Sequence, residues 1–182
     1  MKTDLSKYDN SWYLPGSFFK RLSWYIINEL FLRNPLNISS GLKVFWLRLF
    51  GANIGKGVVI KPHINIKYPW KLNIGNHCWI GEDVWIDNLD TIIIEDNVCV
   101  SQGAFLICGN HNYKKTSFDL MIGAIILKEG CWVGAKSIVG PGVTMGSHSV
   151  LSLGSVASDN LEALGIYRGN PAIKIKLRTI TN

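Results

Sequence analysis

The chain has 182 residues, of which 47% are hydrophobic and 18% are charged, and its formal net charge is +6. This composition excludes intrinsic disorder, which requires low hydrophobicity and high net charge. The positive charge suits an anionic partner, but the basic residues are scattered and no motif that reads DNA or RNA is present, so we expect no nucleic-acid partner.

Residues 1–50 are rich in aromatic and aliphatic side chains and predict two helices, at residues 17–33 and 41–50. The first helix is expected to end before Pro35. Its apolar run contains Glu29 and is too short for a bilayer, which needs about 20 apolar residues, so we expect no transmembrane anchor. The segment suits an N-terminal helical cap, which covers the open end of the domain that follows.

A second interpretation of the same segment remains open, namely contact with a membrane surface. Segments that combine aromatic and basic residues bind at the boundary between lipid headgroups and acyl chains. The residues that suit this role are Trp12, Lys20, Arg21, Trp24, Tyr25, Trp46 and Arg48. Both roles are compatible, because a cap has one face on the domain and one face outside.

From Ile54 onward, aliphatic residues recur with a period of six, which is the signature of a parallel β-helix. The leading residues of the hexads include Ile54, Ile60, Ile66, Ile74, Ile80, Ile86, Ile94, Val100, Leu106, Leu127, Val133, Val139, Met145 and Leu151. The fourth residue after each is usually compact, so each hexad supplies one large and one small inward side chain. Glycines between them are expected at corners, where positive φ is needed. Three hexads make one coil of a triangular prism.

The six-residue period slips three times, each time after a completed set of three hexads, so the extra residues fall at one corner. The insertions lie near 68–70, near 89–91 and across 107–126. Loops as long as the last are usually functional. We therefore predict an all-β solenoid of about five coils over residues 51–160, with a short C-terminal segment at 161–182. Strands of a sandwich would alternate with period two and would not explain the hexads.

The four cysteines do not predict disulfides or a zinc site. Cys78 and Cys131 occupy small inward positions of the repeat, and neither Cys99 nor Cys108 belongs to a CxxC pattern. No secretory signal is recognisable. We expect a reducing, cytoplasmic setting, at most peripheral to the inner face of the membrane.

The third insertion contains Gly-Asn-His-Asn-Tyr at residues 109–113. A histidine on a loop that projects from the prism is well placed to act as a general base, because neutral imidazole accepts a hydroxyl proton near pH 7. An isolated surface histidine would be a weaker candidate. The position of His111 at the end of the third coil favours the chemical interpretation.

Several segments together resemble a known family. They lie at residues 49–55, 68–70, 101–102, 109–113, 131–135, 139–143 and 169–172. The chain resembles the hexapeptide-repeat acyltransferases, which have a left-handed parallel β-helix fold and use acyl-CoA. Within them it is similar to the acetyltransferases of colanic acid and other exopolysaccharide biosynthesis.

The resemblance implies a site residue by residue. His111 matches the family's catalytic base, which takes the proton of an acceptor hydroxyl. Acetyl-CoA is expected in the cleft between neighbouring prisms of a homotrimer. The positions that match its contacts are Gly134, Ala135, Leu153, Ser158 and Lys176, with Arg178 nearby. Relatives commonly have a basic residue directly after Pro-Ala, where this chain has Ile173.

The acceptor side is less specific. Asp87 and Asn88 belong to the hexad directly below the one that leads to His111, and with Asn110 they are the candidate substrate contacts. A corner role with Asx hydrogen bonds is equally compatible for the first two. Since Asn112 follows the histidine where relatives often have Asp, a carboxylate from Asp119 or from the corner one coil below is expected to orient the imidazole.

We therefore expect an O-acetyltransferase that moves acetyl from acetyl-CoA to a sugar hydroxyl in exopolysaccharide or other surface-glycan biosynthesis. An N-acyltransferase for an amino sugar nucleotide and a catalytically inactive β-helix assembly module remain alternatives. A zinc enzyme of the γ-carbonic anhydrase class shares the fold, but it needs three converging histidines. The histidines here lie in different hexads, so we expect no metal. They are His63, His77, His111 and His148.

Overall fold

A computed structural model describes residues 2–181 and contains the expected β-helix, preceded by helices. A short 3₁₀ turn at Leu5–Lys7 precedes helix α1, Phe18–Ile27, which continues as a π-helical segment over Asn28–Leu32. Helix α2 covers Ser40–Leu49. These bounds agree with the two predicted helices to within a few residues.

The prism has three parallel sheets, which we call faces A, B and C in the order in which the chain visits them. Face A contains β1 (Asn53–Ile54), β4 (Leu72–Ile74), β7 (Ile92–Ile94), β12 (Ile125–Leu127) and β15 (Thr144–Met145). Face B contains β2 (Val59–Ile60), β5 (Trp79–Ile80), β8 (Cys99–Val100), β13 (Trp132–Val133), β16 (Val150–Leu151) and β18 (Gly165–Gly169). Face C contains β3 (Asn65–Ile66), β6 (Trp85–Asp87), β9 (Phe105–Ile107), β14 (Ile138–Val139) and β17 (Val156–Ala157).

The fold is thus a left-handed parallel β-helix with five complete coils and a partial sixth, which confirms the predicted class. The sixth coil begins with a bridge from Leu161 to Met145 and continues as β18. Strand β19, Ala172–Leu177, then folds back antiparallel on β18. Leading residues of the hexads point inward and form the core, as the fully buried Ile60, Ile80 and Val100 illustrate.

The helices pack on the first coil. In α1, Trp24 donates its indole N–H to the carbonyl oxygen of Ile66 at 2.7 Å. In α2, the Arg48 guanidinium donates to the carbonyl oxygen of Ile54 at 2.7 Å. These bonds satisfy backbone acceptors that would otherwise be unpaired at the open edge of a sheet. Within residues 2–181, no helix is both long and apolar enough to cross a membrane.

Lys43 in α2 is fully buried at this junction, and its ammonium donates to the carbonyl oxygens of Asn37 at 2.5 Å and Ile60 at 3.3 Å. Burial lowers the pKa of this ammonium. We expect Lys43→Met to lower the free energy of unfolding by about 1–3 kcal/mol, because buried carbonyl groups lose a charged donor. Urea denaturation checks this, with the exposed Lys114→Met as the matched control. Equal midpoints for the two variants would contradict the role of Lys43.

Glycines follow many leading residues for a reason other than the one expected. A Cβ added to Gly55 would lie 2.5 Å from the carbonyl oxygen of Gly75, and one added to Gly134 would lie 2.6 Å from that of Leu151. Neither Gly55 nor Gly134 has positive φ. Glycine is required there because successive coils approach closely, whereas the expected positive φ is found at other corner glycines, such as Gly57 with φ of 66°. Several other corners with positive φ are occupied by residues other than glycine, such as His77.

All three insertions lie at the corner between face C and the next strand of face A, which we call the C/A corner. The first contains a 3₁₀ turn at Pro69–Lys71, and the second is the short connection from β6 to β7. The third forms a β-hairpin, in which β10 (Gly109–His111) pairs antiparallel with β11 (Leu120–Ile122). The expected long loop is therefore ordered in part as strands, because its own backbone groups pair across the hairpin.

Candidate active site

The β10–β11 hairpin leaves the prism at the third coil, and backbone hydrogen bonds fix its base. The N–H of Cys108 donates to the carbonyl oxygen of Asp87 one coil below, at 3.1 Å, and the N–H of Gly123 donates to that of Cys108 at 2.9 Å. At Gly109 an added Cβ would lie 2.6 Å from the Leu89 side chain. The hairpin therefore rests directly on the insertion of the second coil.

His111 is the last residue of β10 and is held in place by Phe118 in the turn of the hairpin. Its Nδ1 lies 3.0 Å from the carbonyl oxygen of Phe118. The two rings are stacked, with centroids 4.6 Å apart and planes 7° apart. Because a carbonyl oxygen only accepts hydrogen bonds, Nδ1 must carry the proton, and neutral imidazole then has its lone pair on Nε2. This is the tautomer that a general base needs.

The expected carboxylate partner of the imidazole does not lie at Nδ1. Asp119 instead forms an ion pair with Lys115 at 3.2 Å. A hydrogen bond from the Ser117 side chain, followed by one from Lys115, lowers the pKa of Asp119. The expectation of a carboxylate was wrong because the hairpin turn brings a backbone carbonyl to the same place.

The candidate acceptor contacts lie at and below the hairpin. The Asp87 carboxylate is largely buried and pairs with Lys67 at 2.8 Å. The fully buried Asn88 uses its amide oxygen and nitrogen on the backbone of Tyr68, at 2.9 and 2.6 Å. Asn110 is exposed, and its side-chain oxygen accepts the backbone N–H of His111 at 2.8 Å. Of the three, Asn110 keeps the most accessible polar atoms.

The N-terminal arm, residues 2–17, lies beside the hairpin, which the sequence pattern did not indicate. The N–H of Asp4 donates to the carbonyl oxygen of Thr116 at 2.8 Å, and the ring of Tyr8 lies 5.8 Å from that of His111. The Tyr13 hydroxyl donates to the carbonyl oxygen of Leu89 at 2.7 Å. The arm thus contributes an aromatic wall next to the imidazole.

Among residues 2–181, no cysteine thiol near the hairpin is suited to act as a nucleophile. Cys108 is fully buried at the hairpin base, and burial raises the pKa of its thiol to about 11. Burial likewise raises the pKa of Cys131 to about 12. Both thiols are protonated near neutral pH, whereas the thiolate is the reactive form. Neither thiol is therefore a candidate nucleophile.

Most candidate cofactor contacts lie on a different corner from the hairpin. Gly134, Ala135 and Leu153 are at the corner between faces B and C, where the N–H of Gly154 donates to the carbonyl oxygen of Ala135 at 2.8 Å. Gly134 is buried between coils, whereas the Leu153 side chain is 79% exposed. Within one chain, face C separates this corner from His111.

The remaining two candidates lie farther along the prism. Ser158 follows β17 at the C/A corner, is exposed, and donates its hydroxyl to Asp159 at 3.1 Å. Lys176 is exposed on β19. Arg178 is engaged, because its guanidinium donates to the carbonyl oxygens of Gly130 and His148 at 3.1 and 3.2 Å. Lys176 is therefore the freer cation for a phosphate.

The other three histidines occupy corners of separate hexads. His63, His77 and His148 have positive φ of 57°, 54° and 58°. Among residues 2–181, no group of three His, Cys, Asp or Glu side chains is arranged to hold a metal ion. These histidines therefore belong to the corner geometry of the coils.

Comparisons with known proteins agree with this architecture. The chain is 37% identical to the colanic acid biosynthesis acetyltransferase WcaF of Escherichia coli over 161 residues, which cover 88% of each protein. A solved structure of a hexapeptide-repeat acetyltransferase of Vibrio cholerae in complex with acetyl coenzyme A matches with a TM-score of 0.79 at 17% identity, covering 89% of this chain and 88% of that one. A galactoside acetyltransferase in complex with coenzyme A matches with a TM-score of 0.76 at 20% identity, covering 88% and 82%. No protein-family model matches the chain.

Proposed function

The chain belongs to the hexapeptide-repeat acetyltransferases, and on this premise we propose that it transfers acetyl from acetyl-CoA to a hydroxyl group of a saccharide during the biosynthesis of a surface glycan. The observation that carries the proposal is the hydrogen bond from Nδ1 of His111 to the carbonyl oxygen of Phe118. In the neutral imidazole this bond places the lone pair on Nε2, on the C/A edge of the prism.

His111 acts as the general base in this reaction. Nε2 takes the proton of the acceptor hydroxyl as the oxygen attacks the thioester carbonyl carbon, so that a C–O bond forms. The C–S bond then breaks, and the imidazolium returns the proton to the departing CoA thiolate. The stacked Phe118 ring and the Nδ1 hydrogen bond keep the imidazole in one orientation throughout. Stacking also shields one face of the ring from water.

A homotrimer would complete the site. His111 projects from the C/A corner, whereas Gly134, Ala135 and Leu153 lie at the corner between faces B and C of the same chain. We infer that the hairpin of one chain meets the cofactor corner of the next, which closes in a symmetric ring. Outward-facing Trp79 and Trp132 on face B, each 46% exposed, are apolar surface that such an assembly would cover.

The two alternatives make different predictions. An N-acyltransferase would acetylate amino sugars alone, and an inactive assembly module would bind no acetyl-CoA. Release of CoA thiol, measured with acetyl-CoA and a panel of neutral and amino saccharides, separates them. We expect release with neutral saccharides. Release with amino sugars alone would overturn O-transfer, and failure to bind acetyl-CoA would overturn the enzyme assignment.

We further propose peripheral membrane contact through the outward side of α1. Phe18, Phe19, Leu22, Tyr25 and Ile26 are exposed there, and we call them the α1 outer face. The surrounding segment, residues 1–50, has seven Lys and Arg against three Asp and Glu, a net charge of +4. Apolar side chains with surrounding positive charge bind anionic lipid surfaces.

The double variant Phe19→Ser/Ile26→Ser is expected to lower the fraction of protein that co-sediments with phosphatidylglycerol vesicles by at least about fivefold, because two side chains lose their insertion into lipid. The matched control is Ile180→Ser, an exposed aliphatic residue near the other end of the chain. Unchanged sedimentation of the double variant, or an equal loss in the control, would reject the α1 outer face as the contact.

A further inference from the structure

A cleft of about 400 Å³ lies between α1 and the first two coils of face C, and we call it the α1 cleft. This volume is within the range of small-molecule sites. Its walls are held together by polar contacts, since Trp24 bonds to Ile66 and the Asn28 side chain donates to that of Asn65 at 2.9 Å. The α1 cleft is therefore a built feature of the cap and not a gap between loosely packed elements.

Three cations line the α1 cleft, and one of them lacks a protein partner. Arg33 forms an ion pair with Glu29, and Lys67 forms one with Asp87. The guanidinium of Arg21 forms no hydrogen bond or ion pair with the residues that the structure describes, and its Nε is shielded from solvent. Buried guanidinium donors are normally satisfied, and a phosphate oxygen is a strong partner for them. The Arg21 side chain is therefore a candidate contact for an anionic ligand.

The remainder of the lining is aromatic and apolar. Tyr68 and Trp85 contribute rings, and Phe18, Leu22 and Tyr25 belong both to the lining and to the α1 outer face. A ligand whose anionic group reaches Arg21 can therefore leave the cleft along a continuous apolar surface. A phosphate attached to a long hydrocarbon chain matches both parts, whereas a nucleotide has no group that needs the apolar exit.

The lining of the α1 cleft reaches the same edge of the prism as the hairpin. Lys67 and Tyr68 lie at the C/A corner of the first coil, and the hairpin base at Cys108 lies at that corner two coils above. Successive coils are about 5 Å apart, so the two points are separated by about 10 Å, which is comparable with a disaccharide. A saccharide joined to the bound phosphate would extend from the cleft toward His111.

We propose that the α1 cleft binds the diphosphate of a prenyl-diphosphate-linked saccharide, with the prenyl chain on the α1 outer face, so that the acceptor of the acetyl group is lipid-linked. The role of this ligand as the acetyl acceptor rests on the proposed acetyl transfer. Binding of the ligand itself does not depend on that reaction.

The test is a titration of the full-length protein with farnesyl diphosphate, followed by calorimetry, beside farnesol, inorganic diphosphate and UDP. We expect farnesyl diphosphate to bind at least about tenfold more tightly than the other three, because it alone offers both an anion and an apolar chain. Arg21→Gln should weaken its binding at least about tenfold, and Arg21→Lys, which keeps the charge, by less. The matched control Arg168→Gln changes an exposed arginine at the far end of face B and should bind as the wild type does.

The outcomes separate this inference from the proposed function. UDP binding as tightly as farnesyl diphosphate, or Arg21→Gln and Arg168→Gln binding equally well, would overturn the lipid-linked acceptor. Acetyl transfer to water-soluble saccharides without farnesyl diphosphate binding would overturn the cleft inference alone. Farnesyl diphosphate binding without acetyl transfer to any saccharide would support the cleft and overturn the proposed function.

Discussion

Replacing His111 with Asn is expected to lower kcat for acetyl transfer by about 10²–10⁴-fold, the usual contribution of a general base. Asn preserves a polar side chain of similar size but has no nitrogen lone pair that accepts a proton at neutral pH. Binding of acetyl-CoA should stay within about twofold of the wild type, because His111 acts on the acceptor hydroxyl. Initial rates of CoA release and an independent binding measurement check both parts.

The matched control for this variant is His148→Asn. His148 lies at a corner with φ of 58°, a conformation that Asn accepts readily, so the fold should be preserved. We expect its kcat to equal that of the wild type. A His111→Asn variant as active as the His148→Asn control would remove His111 from the reaction.

The second large effect is expected in the core. Ile80 in β5 is fully buried between Ile60 of the coil below and Val100 of the coil above. We expect Ile80→Ala to lower the free energy of unfolding by about 2–5 kcal/mol and Ile80→Val by about 0.5–1.5 kcal/mol, because the loss grows with the cavity that is left.

Chemical denaturation of the two Ile80 variants measures this gradation, with Ile126→Ala on the outward side of face A as the control. A partly exposed residue should cost about 1 kcal/mol or less when shortened. If Ile126→Ala costs as much as Ile80→Ala, the inward direction assigned to the leading residues is wrong.

The course of the prism could be predicted because its determinants are local. A leading residue such as Ile80 and its neighbour six positions on face the same interior, so the period alone identifies the core. The three slips also identify the C/A corner, since an insertion after every third hexad always returns to the same place. Position along the repeat was sufficient to place His111 on that edge.

The partner of His111 could not be predicted in the same way. Every residue has a backbone carbonyl, so no residue type marks Phe118 as the acceptor for Nδ1. The Tyr8 ring beside the imidazole belongs to the N-terminal arm, far away in the chain, and its placement depends on how the cap docks. The sequence suggested a carboxylate because it shows which side chains are present, but not where a backbone carbonyl will lie in the folded chain.

The α1 cleft is another feature that could not be predicted from the sequence. Arg21 in α1 and Lys67 at the end of the first coil are ordinary basic residues in the sequence and are far apart in the chain. Only the docking of α1 on face C brings them to one cleft and leaves the Arg21 Nε buried without a partner among the described residues. Unsatisfied burial is a property of the folded chain and has no signature in a residue pattern.

The measurement that tests the central claim most directly is the chemical form of the transferred acetyl group. Wild type and His111→Asn are each incubated with ¹³C-acetyl-CoA and a saccharide that offers both hydroxyl and amino groups, and the product is examined by ¹³C NMR before and after mild alkali. We predict an alkali-labile acetyl ester from the wild type and only traces from the variant. An alkali-stable N-acetyl product, or equal amounts of ester from both proteins, would contradict O-transfer by a His111 base.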